Sequence, residues 1–245
     1  MSSPEEFNKA KADNARAMAE DSELRNRSRE WMLLTAKYNY TYNFTWLGIP
    51  IIQFPQDMIA LQEIIWTVKP DLIIETGIAR GGSMIFLASM LELLGGDGKV
   101  VGVDIDIREH NRTRIETHCM AHRIKMIQGS SVAPAVVDQV KAIAVDRKRI
   151  MVILDSNHTH EHVRKEIELY APLVTRGSYL IVFDTSIEDA PVGFFPSRPW
   201  AKGNNPRTAV WEFLQTSDRF VIDKELENKL LITVAPDGYL RCIKD

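Results

Sequence analysis

Five apolar runs recur along the middle of this chain, and four of them carry an acid at or beside their last residue. They read DLIIET (71–76), KVVGVDI (99–105), IKMIQG (124–129), IMVILD (150–155) and GSYLIVFD (177–184). The segments between them, SMIFLASMLELLG, REHNRTRIETHCMAH, APAVVDQVKAIAV and EHVRKEIELYAPLVTR, repeat their apolar residues at helical spacing. Near-continuous β-branched runs alternating with helices predict an α/β fold, a mostly parallel central sheet with helices on both faces. A last strand is predicted within LLITVAPDGYLRC (230–242). No internal repeat breaks the series, so residues 49–245 read as one domain.

An acid is costly in a sheet core unless something beyond the strand end needs it. In open parallel sheets, ligands bind beyond the carboxyl ends of the strands, near the point where the strand order reverses. The candidate binding residues are therefore Glu75, Asp104, Gly129 with Ser130 and Ser131, Asp155, and Asp184. The first of these opens ETGIARGGS, which sets Gly77, Ala79, Arg80, Gly81, Gly82 and Ser83 in a turn. A pyrophosphate site needs G-x-G-x-x-G at a helix N-terminus, and here that pattern is missing while a carboxylate would repel the anion. A cationic or zwitterionic ligand carrying an adenosine fits better. Glu75 can order the turn or a water on an ammonium group, the glycines allow close backbone approach, and Asp104 can accept from both ribose hydroxyls. S-adenosylmethionine has that chemistry.

A second group lies in ILDSNHTHEHV (153–163) and YLIVFDT (179–185). Asp155 and Asp184 at neighbouring strand tips can share a hard divalent cation such as Mg2+, which takes oxygen ligands and keeps several waters. His158, three residues after Asp155, is suited to remove a hydroxyl proton near neutral pH. Methyl transfer to an alcohol needs that combination. His160 and His162 are read as surface or helix-start residues, because a zinc site would need three or four well-placed ligands.

The other features exclude more than they assign. A net charge of -3, with DRKRI (146–150) the densest basic cluster, argues against a nucleic-acid partner. Cys119 and Cys242 sit in no metal-like spacing and read as free thiols of a reducing compartment. There is no apolar h-region in the polar first thirty residues and no apolar stretch of about twenty residues anywhere. These points predict a cytoplasmic protein without a membrane span. Residues 1–48 read as a helical arm, either docked on a partner subunit or solvated, and then an aromatic segment. There Tyr38, Tyr40, Tyr42, Phe44 and Trp46 alternate with polar residues as an extended strand or lid would. A homo-oligomer is the expected assembly.

Taken in order, ETGIARGGS, GVDID, QGSS, LDSNHTHEHV, GSYLIVFDT and RPWAKGNNPRTAVWEFL resemble the family called cephalosporin hydroxylase or rhamnosyl O-methyltransferase, from about residue 50 to the end. The resemblance implies a Rossmann-like methyltransferase using S-adenosylmethionine, with a sugar hydroxyl such as that of a deoxysugar as acceptor. In related macrolide-sugar enzymes, magnesium is held by a strand-end Asp and a later Glu-Asp pair, beside a histidine base. Carried over, Asp155 and Asp184 match metal ligands and His158 the base, but the glutamate falls on Phe183. Three outcomes stay open: two carboxylates with more water, a replacement ligand from Glu188 or Asp189, or no metal. Residues 186–208 read as a lid, with Trp200, Lys202 and Asn204 as sugar contacts. The alternatives are a non-catalytic cofactor-binding subunit and a β-lactam hydroxylase, which the family's other name suggests.

Overall fold

The computed structural model describes residues 3–245, so the first two residues of the arm lie outside the described residues. The arm is two helices rather than one, α1 (Pro4–Glu20) and α2 (Ser22–Ala36). Asp21 divides them: its carboxylate accepts the Leu24 N–H at 2.9 Å and so starts a second helix. The aromatic segment is not one extended run. Tyr40–Asn43 form a 3-10 turn, and only β1 (Phe44–Trp46) pairs, in a hairpin with β2 (Ile49–Ile51). The reason is packing: Trp31, Tyr40, Phe44 and Phe54 stack on one another with centroids 4.9 to 6.2 Å apart.

The main domain then runs α3 (Pro55–Val68), β3 (Leu72–Thr76), α4 (Gly82–Leu94), β4 (Lys99–Asp104), α5 (Glu109–Glu116), β5 (Ile124–Gln128), α6 (Pro134–Ala144), β6 (Ile150–Leu154), α7 (His160–Tyr170) and β7 (Tyr179–Val182). It closes with α8 (Pro206–Thr216), β8 (Phe220–Ile222), α9 (Lys224–Leu230) and β9 (Tyr239–Cys242). The predicted strand over 230–242 is thus confined to its last four residues, and β8 is a strand that no sequence signal marked. Asp57 explains the difference. Its buried carboxylate accepts from Val234 N at 2.9 Å, from Tyr239 Oη at 2.7 Å and from Thr233 Oγ1, so residues 233–235 are tied to α3 instead of to a ladder.

The seven-stranded sheet has the order β5-β4-β3-β6-β7-β9-β8, parallel except for β9. Alternate residues serve opposite faces. Ile73, Met151, Ile153, Ile181 and Phe183 pack with α3, α4 and the hairpin, while Leu72, Ile74, Val152, Leu154, Leu180 and Val182 pack with α6, α7 and α8. The arm folds back on its own chain, with α1 against α9.

Strand order reverses between β4 and β6, which flank β3, and the site must open there. The two strand ends meet closely. Asp155 N donates to Thr76 O at 2.9 Å, and a Cβ on Gly77 (φ +93°) would lie 2.0 Å from the Asp155 carbonyl oxygen. Gly82 has a similar cause, since a Cβ there would lie 2.3 Å from Pro50 O of the hairpin. Close approach of chain to chain already requires glycine at these two positions, alongside the ligand approach that the sequence suggests. Gly77→Ala is expected to cost more than about 2 kcal/mol of stability, seen as a lower urea midpoint at unchanged slope. An unchanged midpoint would mean that the two strand ends are not fixed against each other.

Candidate active site

At the tip of β3, Glu75 is buried and accepts one hydrogen bond, from Ser83 Oγ at 3.0 Å. Burial, with Asp104 nearby and the Ser83 bond opposing, raises its pKa from the ordinary carboxyl range to about 8. Glu75 thus orders the turn by tying strand end to helix start. Because the folded protein holds this proton more tightly than the unfolded chain, the contribution of Glu75 to stability is fully present below about pH 4.5 and declines as pH climbs toward 8. We expect the protein without ligand to lose on the order of 3 kcal/mol from this group between about pH 5.5 and 8. Glu75→Gln should flatten that slope in urea titrations, and an identical slope would show that Glu75 does not titrate there.

Asp104, at the tip of β4, is already engaged by the backbone. Its Oδ2 accepts from Ile78 N at 2.8 Å and Ala79 N at 3.1 Å, and its Oδ1 accepts from Asp106 N at 3.0 Å. Each carboxylate oxygen accepts about two bonds, so Oδ1 keeps capacity for a hydroxyl. Ala79 holds a left-handed backbone (φ 46°), and Asn111 of α5 donates to its carbonyl at 2.8 Å. Arg80 is exposed on the same turn. Gly129 donates its N–H to Asp104 O at 2.8 Å, placing Gly129 and Ser130 beside the β4 tip.

Across the switch point, Asp155, His158 and Asp184 offer ligand atoms all within 4.8 Å of one another. His158 Nε2 lies 3.3 Å from Asp184 Oδ2, and its ring stands edge to face with Trp200 at 4.8 Å. Burial, then the charges of Asp184 and Glu75, push the Asp155 carboxyl well above its usual range. Among the described residues, neither Asp155 nor Asp184 has a lysine or arginine partner. A half-buried acid beside two others fits a cation at this position. The oxygen-rich donor set suits a hard divalent ion.

The question left open at Phe183 has a geometric answer. Phe183 is buried on the opposite side of the strand tip, in the core with Ile181 and Tyr239. Glu188 does not replace the missing glutamate, because it accepts from Gly203 N at 2.8 Å and Asn205 Nδ2 at 2.6 Å. Asp189 does not either; it pairs with Arg207 at 2.9 Å. His160 is held by Thr208 Oγ1 (2.8 Å) and Glu212 (2.9 Å), and His162 Nε2 lies 3.1 Å from Ser131 Oγ and 3.3 Å from Ser156 Oγ. Neither histidine joins the cluster. Of the three residues singled out in the lid, Trp200 reaches the site, Asn204 accepts from His160 N at 3.0 Å as a loop brace, and Lys202 does not line the cleft.

Above this floor lies a cleft of ≈ 980 Å³ that runs from Ala79 past Asp155, His158 and Asp184 to the lid. Its far wall is α2 with Tyr40 and Tyr42. Two contributors escaped the sequence reading. Gln53 is buried, its Nε2 3.4 Å from Asp155 Oδ2 and its Oε1 without a partner among the described residues. A lone amide in the apolar run IPIIQFP was the available signal. The other is α2 as a wall, which its weak apolar face did not reveal.

The family described as Rhamnosyl O-methyltransferase/CmcI matches residues 38–243. The chain belongs to that family. A rhamnosyl O-methyltransferase of Mycobacterium bovis is 32% identical over 201 residues, 80% of this chain and 77% of that one. One of Mycobacterium leprae is 34% identical over 156 residues, 63% of this chain, and the match spans 66% of its length. The family's fold is visible as well. A CmcI structure with Mg and SAM superposes with a TM-score of 0.59 at 18% identity, covering 83% of this chain and 78% of that one. An O-methyltransferase from Bacillus cereus in complex with SAH gives 0.53 at 16% identity, covering 89% and 91%. The Rossmann-like methyltransferase fold expected from the resemblance is the fold observed. No helix among the described residues is long and apolar enough to cross a membrane.

Proposed function

We propose that this chain is an O-methyltransferase that moves a methyl group from S-adenosylmethionine to a sugar hydroxyl, with residues 49–245 as the methyltransferase domain and 1–48 as an arm walling the acceptor cleft. The observation that carries the reading is the Asp155–His158–Asp184 cluster on the cleft floor, beside the turn that follows Glu75. Asp104, Gly129 and Ser130 are the residues for the adenosine end. Glu75, Gly77, Ala79, Arg80, Gly81 and Ser83 form the turn for the amino-acid end. The orphaned acceptors Gln53 Oε1 and Asn111 Oδ1 and the spare capacity of Asp104 fit a ligand rich in donors.

When bound, S-adenosylmethionine supplies an electrophilic methyl group, and a divalent cation held by Asp155 and Asp184 supplies fixed positive charge for an oxygen losing its proton. The chain's own part is orientation and proton transfer. With Nε2 facing Asp184, the His158 ring keeps Nδ1 to take the proton of the acceptor hydroxyl, and the Asp184 carboxylate stabilises the resulting imidazolium. Trp200 packs on the ring and fixes its plane.

The test is a thermal-shift titration with S-adenosylmethionine, followed by methyl transfer to a rhamnoside by the chain alone. A raised melting temperature and a methylated product are expected. No shift at saturating donor would end the proposal, and donor binding without transfer would favour the accessory subunit that Phe183 suggests. A hydroxylase site of two histidines and a carboxylate finds no second histidine here, since His160 and His162 are held elsewhere. The two free cysteines support a reducing, cytoplasmic setting, and a self-associated form remains part of the proposal.

A further inference from the structure

The cleft is electrically divided. Its floor carries Asp155 and Asp184, which have no lysine or arginine partner among the described residues, and its other acids, Asp189 and Glu227, are paired with Arg207 and Lys224; every lysine or arginine lining it is an arginine. Arg207 is saturated by Asp189 and Asp237, each at 2.9 Å, and Arg108 has Asp106 at 3.6 Å. Three others carry surplus charge. Arg25 and Arg29 are one turn apart on α2. Arg25 bonds only a backbone carbonyl, Ala19 O at 3.3 Å, and Arg29 reaches Asp189 only at 4.0 Å, an acid that Arg207 already occupies. Arg198 lies over the ring of Trp200 at 5.2 Å, and Trp200 in turn packs on His158. No acid pairs with Arg25 or Arg198 among the described residues.

Resting on the methyltransferase reading above, we infer that the acceptor is an anionic sugar, bearing a phosphate or a carboxylate that Arg25, Arg29 and Arg198 hold while its hydroxyl meets His158. A guanidinium presents paired donors in a rigid fork matched to those two anions. A neutral sugar would leave these three exposed guanidinium groups without an anionic partner.

The experiment compares matched pairs by calorimetry on the full chain: rhamnose 1-phosphate against methyl rhamnoside, and methyl galacturonoside against methyl galactoside. At least one charged sugar is expected to bind about 10-fold or more tightly than its neutral twin at low salt, and the two pairs tell phosphate from carboxylate. The gap should shrink as salt rises and vanish in an Arg25→Ala/Arg198→Ala double variant whose affinity for S-adenosylmethionine is unchanged. Equal binding of charged and neutral twins in the wild type overturns the inference, as does a preference that survives the double substitution. Weakened S-adenosylmethionine binding in that variant also overturns it, since the arginines would then serve the donor. In each of these cases, methylation of the neutral sugar by the wild type leaves the methyltransferase reading standing. A wild type that does not bind S-adenosylmethionine removes that reading and the inference with it.

Discussion

His158→Ala should slow methyl transfer by roughly 10²–10⁴-fold while the affinity for S-adenosylmethionine stays as it was. The expectation rests on where the ring sits. It is held between Asp184, 3.3 Å from Nε2, and the Trp200 indole, and it lines the acceptor cleft rather than the adenosine end. On the proposed reading, removing it takes away the proton acceptor without disturbing Glu75, Asp104 or the turn. Single-turnover rates with enzyme and donor in excess report the chemical step directly. A variant rate within a factor of about three of wild type, with the same pH profile, would assign proton removal to another group.

Asp155→Asn is expected to have opposite effects on stability and on rate. In the cation-free protein, Asp155 is a half-buried acid whose ionisation is opposed by desolvation, by Asp184 and by Glu75, and its one side-chain donor is Gln53 at 3.4 Å. An amide of the same shape removes that opposition, so the melting temperature at pH 8 should rise. Transfer should fall by at least about 10²-fold, because the position that gathers positive charge for the acceptor oxygen is gone. Exhaustive EDTA should bring the wild type to a similar low rate, with Mg2+ restoring it, and the variant should respond to neither. A wild-type rate untouched by EDTA would show that Asp155 and Asp184 hold no cation during turnover. A variant both slower and less stable would mean that the carboxylate is a structural hydrogen-bond acceptor instead.

The candidate site was legible in part because strand tips are a local property. An apolar run ending in an acid shows where a parallel strand stops, and so Glu75, Asp104, Asp155 and Asp184 were located before any coordinates were known. The spacing of Asp155 and His158 within one loop carried their association too. Legibility failed where a residue's role depends on a distant partner. Asp57 withdraws residues 233–235 from a strand 176 residues and more away in the chain. Gln53 reaches Asp155 across 102 residues. The stack of Trp31, Tyr40 and Phe54 breaks an alternation that, read alone, indicated a strand.

Periodicity and strand-end chemistry settled the α/β class, the parallel sheet and the acids at its tips, because hydrophobic spacing acts over a few residues. Tertiary contacts settled the rest. They put the Gly77 backbone against Asp155, turned Phe183 into the core and away from Asp184, and set α2 along the cleft with Arg29 4.0 Å from Asp189 of the lid. Such arrangements come from strand order and long-range packing, and no short window of sequence contains both partners of the contacts that decide them.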